Sequence, residues 1–155
     1  MSVGRICTRV VDLADQEETI QTAAQRLQER NVGTLVILDR RKKPVGILTD
    51  RDLVVRAMAL GSDPRQTIVG EVMTRNIKTI ADTAPIEQAL ALMRLGRFRR
   101  LPVTGLDGTL VGLVSFDDIL SLLSEEFSQI GTLVEQEILP KTEASHRQMA
   151  HAGSA

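Results

Sequence analysis

Two short stretches of the chain place a hydroxyl three residues before a carboxylate. They are Thr49-Asp50-Arg51-Asp52 and Ser115-Phe116-Asp117-Asp118. In one interpretation each is a capping box, with the hydroxyl accepting from an amide of the first helical turn and the acid accepting from the N–H of the capping residue. In the other, the acid accepts from both hydroxyls of a ribose diol beside the free amides of a helix N-terminus. Gly46 and Gly112 lie shortly before and are expected to leave room for a planar base.

The two stretches belong to an internal repeat with an offset of 66 residues. The segment 46–52 returns as 112–118, and 6–9 returns as 72–75, without a gap. A fixed period indicates duplicated supersecondary units. We therefore expect a pseudo-twofold arrangement, with any chemistry at the seam or at matching places in each half.

Hydrophobic periodicity predicts the elements that position these stretches. Each repeat is expected to run strand, helix, strand, strand, helix, with the last two strands forming a hairpin. The last helix is predicted to run from Phe116 to about Ile138. The other predicted segments are 10–13, 20–32, 34–38, 44–48 and 50–60 in the first repeat, and 77–80, 86–96, 100–103 and 109–114 in the second.

Composition excludes several classes of function. The chain has 155 residues with a net charge of −1, which argues against nucleic-acid or membrane-surface binding through a strong field. With three Phe and no Trp or Tyr, it lacks the aromatic platforms on which single-stranded nucleic acid stacks. There is no membrane-spanning run and no signal-peptide pattern, so we expect a cytoplasmic protein with no membrane or nucleic-acid partner.

Catalytic chemistry has little support in the residue types. One cysteine, Cys7, provides no disulfide framework and no metal-ligand spacing, and it is expected to be a small buried apolar residue. No histidine occurs in residues 1–145, and no paired-carboxylate motif or Walker loop is present. We therefore expect neither an enzyme nor a metal site.

The ordered and duplicated motifs resemble a tandem pair of CBS domains, also called a Bateman module. The resemblance covers about residues 5–125, and its motifs lie at 31–37, 44–53, 71–74, 99–103 and 110–119. It implies an α+β fold of two βαββα units packed through small mixed sheets with pseudo-twofold symmetry, plus an extended C-terminal helix. The predicted domains are 5–62 and 70–125, followed by a helical extension over 126–139 and a disordered tail over 140–155.

The resemblance also implies an adenosine-containing regulatory ligand, namely AMP, ADP, ATP or S-adenosylmethionine, with no required cofactor. Thr49 and Asp52 would hold the ribose in a first cleft, and Ser115 and Asp118 in a second. The family also uses a residue of the leading extended segment. The remaining candidate ligand-binding residues are Leu13, Thr34, Ile37, Asp50, Thr79, Pro102, Val103 and Asp117.

A cluster of arginines is the candidate for phosphate binding. Arg97, Arg99 and Arg100 have uncharged counterparts in the first repeat. Phosphates require cations or free amides, and family members often place a basic residue at Arg99 or Arg100. We therefore favour the second cleft for a phosphorylated ligand, with Arg100 as the first candidate. The alternative is a solvated strand edge.

Two functions remain open from the sequence. The first is a stand-alone regulatory module that binds an adenine nucleotide and changes shape or assembly, with the last helix as the element that reports the change to a regulated protein partner. The second is a structural or protein-interaction module whose clefts bind no ligand. In both cases the exposed apolar faces of such a pair predict a homodimer.

Overall fold

The computed structural model describes the backbone of residues 1–150 and the side chains of residues 1–137. The chain forms two compact units, Met1–Asp118 and Ile119–Ala155. The first unit contains both repeats as far as the first turn of the last helix, and the second unit begins within that helix. None of the described helices combines the length and the apolar character that crossing a bilayer demands.

The first repeat contributes three strands to a four-stranded sheet, and the segment that follows it contributes the fourth. The order is β1 (Leu13–Ala14), β2 (Thr34–Leu38), β3 (Pro44–Thr49) and β4 (Thr74–Arg75). Strand β1 runs parallel to β2, whereas the β2–β3 and β3–β4 pairs are antiparallel. Helix α2 continues into a π-helical turn, Leu53–Ala57, and a 3-10 turn, Met58–Leu60. The elements are β1 (Leu13–Ala14), α1 (Ile20–Arg30), β2 (Thr34–Leu38), β3 (Pro44–Thr49) and α2 (Asp50–Asp52).

The second repeat follows the same order in a three-stranded sheet, β5-β6-β7. The predicted βαββα order is therefore confirmed in both repeats. A short helix α3 and strand β4 lie between them. The elements are α3 (Val69–Val72), β4 (Thr74–Arg75), β5 (Ile80–Ala81), α4 (Ile86–Gly96), β6 (Arg100–Thr104), β7 (Leu110–Ser115) and α5 (Phe116–Ala150).

Burial repeats with the sequence. Strands β3 and β7 alternate half-buried and buried residues in the same pattern, as strands packed on one face do. Six of the largest buried side chains are aliphatic and occupy equivalent positions in the two halves. They are Leu35, Ile37 and Leu48 in the first repeat and Leu101, Val103 and Val114 in the second. The predicted aliphatic core is confirmed.

The leading segments 3–8 and 69–74 exchange partners between the repeats. The segment that precedes the first repeat pairs with the edge strand of the second, and the one that precedes the second repeat pairs with the edge strand of the first. The exchange adds strand β4 to the hairpin of the first repeat and an isolated β-bridge to the hairpin of the second. The paired residues are Thr8 with Leu113 and Thr74 with Ile47.

The C-terminal helix is longer than the sequence pattern indicates. Helix α5 is described as far as Ala150, past the predicted end near Ile138. The domain limits and the disordered tail stay predictions. The side chains from 138 onward and the backbone of 151–155 lie outside the described residues.

Candidate functional site

Both hydroxyl–carboxylate stretches are capping boxes. The backbone N–H and the hydroxyl of Thr49 donate to Asp52 Oδ2 at 2.9 and 2.8 Å, and the amide of Asp52 donates to Thr49 Oγ1 at 3.2 Å. In the second repeat, Ser115 and Asp118 make the same three bonds at 2.7, 2.7 and 3.1 Å. The capping interpretation is thereby confirmed at both junctions, and each carboxylate is fixed at the start of its helix.

Each of these carboxylates also lines a cavity. We call the cavity of about 640 Å³ that contains Asp52 the Asp52 cleft, and the one of about 290 Å³ that contains Asp118 the Asp118 cleft. The caps use Oδ2 in both cases. The Oδ1 atom of Asp52 lies 3.6 Å from Nε of Arg56, and no described side chain pairs with Oδ1 of Asp118. One oxygen of each acid is therefore left over from the cap.

The two clefts are built from equivalent positions, and each takes residues from both repeats. All twelve residues of the Asp118 cleft have a counterpart in the Asp52 cleft at the repeat offset. The Asp52 cleft joins the capping box of the first repeat to the leading segment and β6 of the second. Its lining residues are Thr34, Ile47, Thr49–Asp52, Thr74, Asn76–Lys78 and Arg97–Arg100.

The charged residues that line the clefts differ in number and sign. Five cationic side chains and two carboxylates line the Asp52 cleft, whereas one cationic side chain and two carboxylates line the Asp118 cleft. Excess positive charge favours an anionic ligand in the Asp52 cleft. The cationic residues are Arg51, Lys78, Arg97, Arg99 and Arg100, and the Asp118 cleft shares only Arg100.

This distribution corrects the predicted location of the phosphate-binding arginines. They were expected to serve the cleft of Ser115 and Asp118, because they lie in the same repeat. Arg97 and Arg99 instead line the Asp52 cleft, and Arg100 lines both clefts. The reason is that each cleft combines the capping box of one repeat with the strand start of the other.

Two of the charged groups are already held by neighbours. The Arg99 guanidinium donates to Asp117 at 2.8 Å and lies 5.5 Å from the centre of the Phe116 ring, with both charged side chains well exposed. Asp12, which lines the Asp118 cleft, accepts a hydrogen bond from Nε of Arg30 at 2.8 Å, and Arg30 itself is not among the lining residues. Asp117 therefore orients Arg99 at the rim, and its own place is outside the lining of either cavity.

Thr34 is a buried polar residue at the junction of the clefts. It is only 5% exposed and lines both cavities. Its hydroxyl is the only buried side-chain polar atom among the described residues without a hydrogen-bond partner. Burying a hydroxyl without a hydrogen bond costs folding free energy, so a hydrogen bond from a polar ligand group that enters a cleft would be favourable here.

Besides Asp117, five of the candidate residues lie outside the lining of both clefts. Leu13 and Thr79 are exposed, and the residues before them, Asp12 and Lys78, line the cavities instead. The other three are buried in β2 and β6. They are Ile37, Pro102 and Val103. The predicted binding roles of these five stay predictions, and Asp50 lies in the Asp52 cleft as expected.

The expectation that Gly46 and Gly112 leave room for a base is wrong. A Cβ at Gly46 would lie 2.7 Å from the Met73 sulfur, and one at Gly112 would lie 2.7 Å from the Cys7 sulfur. The glycines are required because the exchanged leading segments pack directly on them. Cys7 is buried as predicted, and burial raises the pKa of its thiol above the ordinary value of 9.0.

Lys78, Arg97, Phe98 and Asp12 were missed as cleft residues or assigned to the wrong cleft. In the sequence, Asp12 and Lys78 lie in the predicted extended segments 10–13 and 77–80, and Arg97 and Phe98 shortly precede the predicted strand 100–103. In the described part of the chain, no group of three or more His, Cys, Asp or Glu side chains is placed to hold a metal ion.

Comparison with known proteins places the whole arrangement in context. The model of the CBS domain family matches residues 3–58 and 69–125. Uncharacterized protein MK0525 of Methanopyrus kandleri is 32% identical over 122 residues, which is 79% of this chain and 62% of that protein. The chain thus spans less than two thirds of that relative.

Two further similar proteins have solved structures. Hypoxic response protein 1 of Mycobacterium tuberculosis is 35% identical over 74% of this chain and 80% of its own length. Its crystal structure with two coordinated zinc ions has a TM-score of 0.71 over 78% of this chain. The CBS domain pair of protein MJ0100, solved with 5′-methylthioadenosine and S-adenosyl-L-methionine, is 28% identical. It covers 79% of this chain and 99% of that one, with a TM-score of 0.71.

Proposed function

The chain belongs to the CBS domain family, and from that premise we propose that it is a non-catalytic regulatory module that binds adenosine-containing ligands in its two clefts. One observation carries the proposal. In each cleft a carboxylate is fixed by a capping box through one oxygen and lines a cavity beside the unpartnered hydroxyl of Thr34. The MJ0100 pair with its two adenosine ligands supports this choice of ligand class.

The carboxylates would hold the sugar. Asp52 and Asp118 each retain Oδ1 as an acceptor for a ribose hydroxyl, while the cap holds the side chain in one rotamer. A preorganised acceptor loses little conformational entropy when the ligand binds. The base would lie against aliphatic neighbours, Ile47 and Ile77 in the Asp52 cleft and Leu113 and Val11 in the Asp118 cleft.

The Asp52 cleft is the better site for a phosphorylated ligand. Lys78, Arg97 and Arg99 line it, and all three have uncharged or acidic counterparts in the other cleft. Charge-assisted hydrogen bonds from arginine are among the stronger contacts that a phosphate makes. AMP, ADP or ATP is therefore proposed for this cleft, with Arg100 as a further contact.

A ligand screen tests the proposal. The chain has no Trp or Tyr, so adenine dominates the ultraviolet spectrum of any complex. We expect thermal stabilisation by at least one of AMP, ADP, ATP, NAD and S-adenosylmethionine, because a ligand that binds only the folded state stabilises it. The same ligand should give a stoichiometric calorimetric titration. If all five leave the melting temperature unchanged at millimolar concentration, the regulatory proposal fails.

The alternative is a protein-interaction module with unoccupied clefts, and it has an observation of its own. Both acids already serve as caps, and several large apolar side chains are exposed, including Val54, Met58 and Leu60 after α2 and Phe127 and Ile130 on α5. Covering such side chains would favour a homodimer or a regulated protein partner. Sedimentation equilibrium decides the oligomeric state, and a dimer that binds no ligand would support this alternative.

A further inference from the structure

Two residues belong to both clefts, and they occupy equivalent positions in the two repeats. They are Thr34 at the start of β2 and Arg100 at the start of β6. Arg100 is half-buried, and its Nη2 lies 3.9 Å from the position of a Cβ on Gly33, which lines the Asp118 cleft. The guanidinium therefore stands at the boundary of the two cavities, next to a wall of the smaller one.

Without Arg100 the Asp118 cleft would contain no cation. Its two other charged lining residues are Asp12 and Asp118. The Asp52 cleft contains four further cationic residues. Arg30 already pairs with Asp12 at 2.8 Å, so the guanidinium of Arg100 is the lining charge that offsets Asp118. It also lines a cleft suited to phosphate.

Resting on the proposed function, we propose that Arg100 couples the two clefts. A phosphate in the Asp52 cleft attracts the guanidinium and holds it there. The Asp118 cleft is then left with the carboxylate of Asp118 and with Asp12, which Arg30 already pairs. The uncompensated charge of Asp118 favours an adenosine ligand with a positive charge and disfavours a second phosphate. The coupling is reciprocal, so a cationic ligand in the Asp118 cleft strengthens phosphate binding in the Asp52 cleft by the same factor.

Thr34 provides an independent reason to place ligand atoms at this boundary. Its hydroxyl is buried and unpartnered although it lies beside both cavities. Nearly all buried polar groups in folded proteins find a partner, so an orphaned one at a cavity indicates that the partner enters with the ligand. The boundary between the clefts is thus a point at which both ligands meet the protein.

The test uses two ligands that share adenosine and differ in charge. Titration calorimetry on the full chain at low salt measures S-adenosylmethionine, whose sulfonium is cationic, with and without saturating AMP. We expect AMP to raise the affinity for S-adenosylmethionine at least fivefold, at the lower end of the usual range for coupled sites. The factor should shrink at high salt. Uncharged 5′-methylthioadenosine should respond less than S-adenosylmethionine.

Two variants identify the residue that carries the coupling. Arg100→Gln should bring the factor close to one and should raise the affinity for S-adenosylmethionine without AMP, because the competing cation is gone. Arg99→Gln is the matched control. It lowers AMP affinity but leaves the factor intact, since Arg99 lines the Asp52 cleft and is not among the lining residues of the Asp118 cleft. Arg100→Lys keeps the charge and should retain part of the coupling if Arg100→Gln folds poorly.

Each outcome decides the matter. Three results would overturn the coupling and leave the proposed function intact. The first is that each ligand binds with an affinity independent of the other, and the second is that AMP and S-adenosylmethionine displace each other. The third is an unchanged factor in a folded Arg100→Gln protein. If neither ligand binds the unmodified chain, the coupling is overturned. The proposed function falls with it when ADP, ATP and NAD also fail to bind.

Discussion

The Asp52 and Asp118 clefts have the same capping box and differ in the charged residues on the rest of their walls. The acid and its capping hydroxyl are the same in geometry to within a few tenths of an ångström. The wall changes from Lys78, Arg97 and Arg99 to their neutral or acidic counterparts. The cap is needed for folding in both repeats, whereas the wall residues are exposed and free to diverge. A duplicated fold can thus keep the same capped acid in both clefts while the charges of the two clefts favour different ligands.

The largest expected effect is a loss of ligand affinity that differs between variants of Asp52 and Asp118. Asp52→Ala should lower AMP affinity at least tenfold, because a charged acceptor in a binding site contributes roughly 1.5–3 kcal/mol. Asp118→Ala should weaken S-adenosylmethionine binding by a similar factor and change AMP affinity little. Calorimetry with each ligand measures both.

The two variants control for each other. Each removes one capping box, which costs about 1 kcal/mol of folding stability. Urea unfolding should therefore show similar losses in both, smaller than the losses in binding. If the ligand affinities of Asp118→Ala equal those of the unmodified protein, that residue is a cap and nothing more.

The second prediction exchanges one wall residue between the clefts. Asn31 and Arg97 both end a helix in the left-handed conformation, with φ of 52° and 54°. Arg97→Asn should weaken AMP binding severalfold and raise stability slightly, because Asn adopts this conformation more readily than Arg. Asn31→Arg should do the reverse and add AMP affinity in the Asp118 cleft. Titration stoichiometry at matched salt would report the gain, and equal AMP binding in all three proteins would contradict the electrostatic comparison.

The third prediction concerns the shared residue Thr34. Thr34→Val keeps the shape and removes an unpartnered hydroxyl, so the ligand-free protein should gain about 1 kcal/mol of stability. Its ligand affinity should fall if that hydroxyl contacts the ligand. Thr49→Val, which removes a hydroxyl that does have partners, should instead lose about 1 kcal/mol. A lower melting temperature for ligand-free Thr34→Val would show that the hydroxyl is already satisfied.

The smallest expected effect concerns Cys7, whose sulfur packs on Gly112 as the Met73 sulfur packs on Gly46. Burial raises the pKa of Cys7, so the folded state disfavours the thiolate more than the unfolded chain does. This contribution to stability is fully present below about pH 8.5 and decreases as the pH rises through the folded pKa. Cys7→Ala should be less stable at neutral pH but should lose less stability between pH 8 and 10. Parallel unfolding curves for the two proteins across that range would contradict a raised pKa.

The fold was largely predictable because its signals are local. The β-branched run 34–38 is a buried strand, the hairpins form where turn residues separate apolar runs, and the capping boxes form where the hydroxyl and acid spacing indicates them. Because these sequence signals occur in both repeats, each element is predicted twice. Helix α5 was predicted to end just before Pro140, because proline disfavours a helix interior, whereas the described backbone continues to Ala150.

The site was predictable only in part, since cavity walls depend on long-range packing. The capping residues and Thr34 lie where expected, but Lys78 and Asp12 line the clefts in place of Thr79 and Leu13. A shift by one residue along an extended segment reverses which face a side chain occupies. The sequence pattern at these short segments is too brief to determine that face.

The sequence by itself determined the duplication, the order of the elements, the two capped acids and the contrast between a basic and a neutral strand start. The tertiary structure decided which halves face each other. Segments 3–8 and 69–74 could each pair with their own repeat or with the other, because a pattern repeated at a fixed offset presents equivalent edges in both. Packing in the folded protein selects the exchanged pairing. With this pairing, Arg97 and Arg99 of the second repeat line the same cleft as Asp52 of the first.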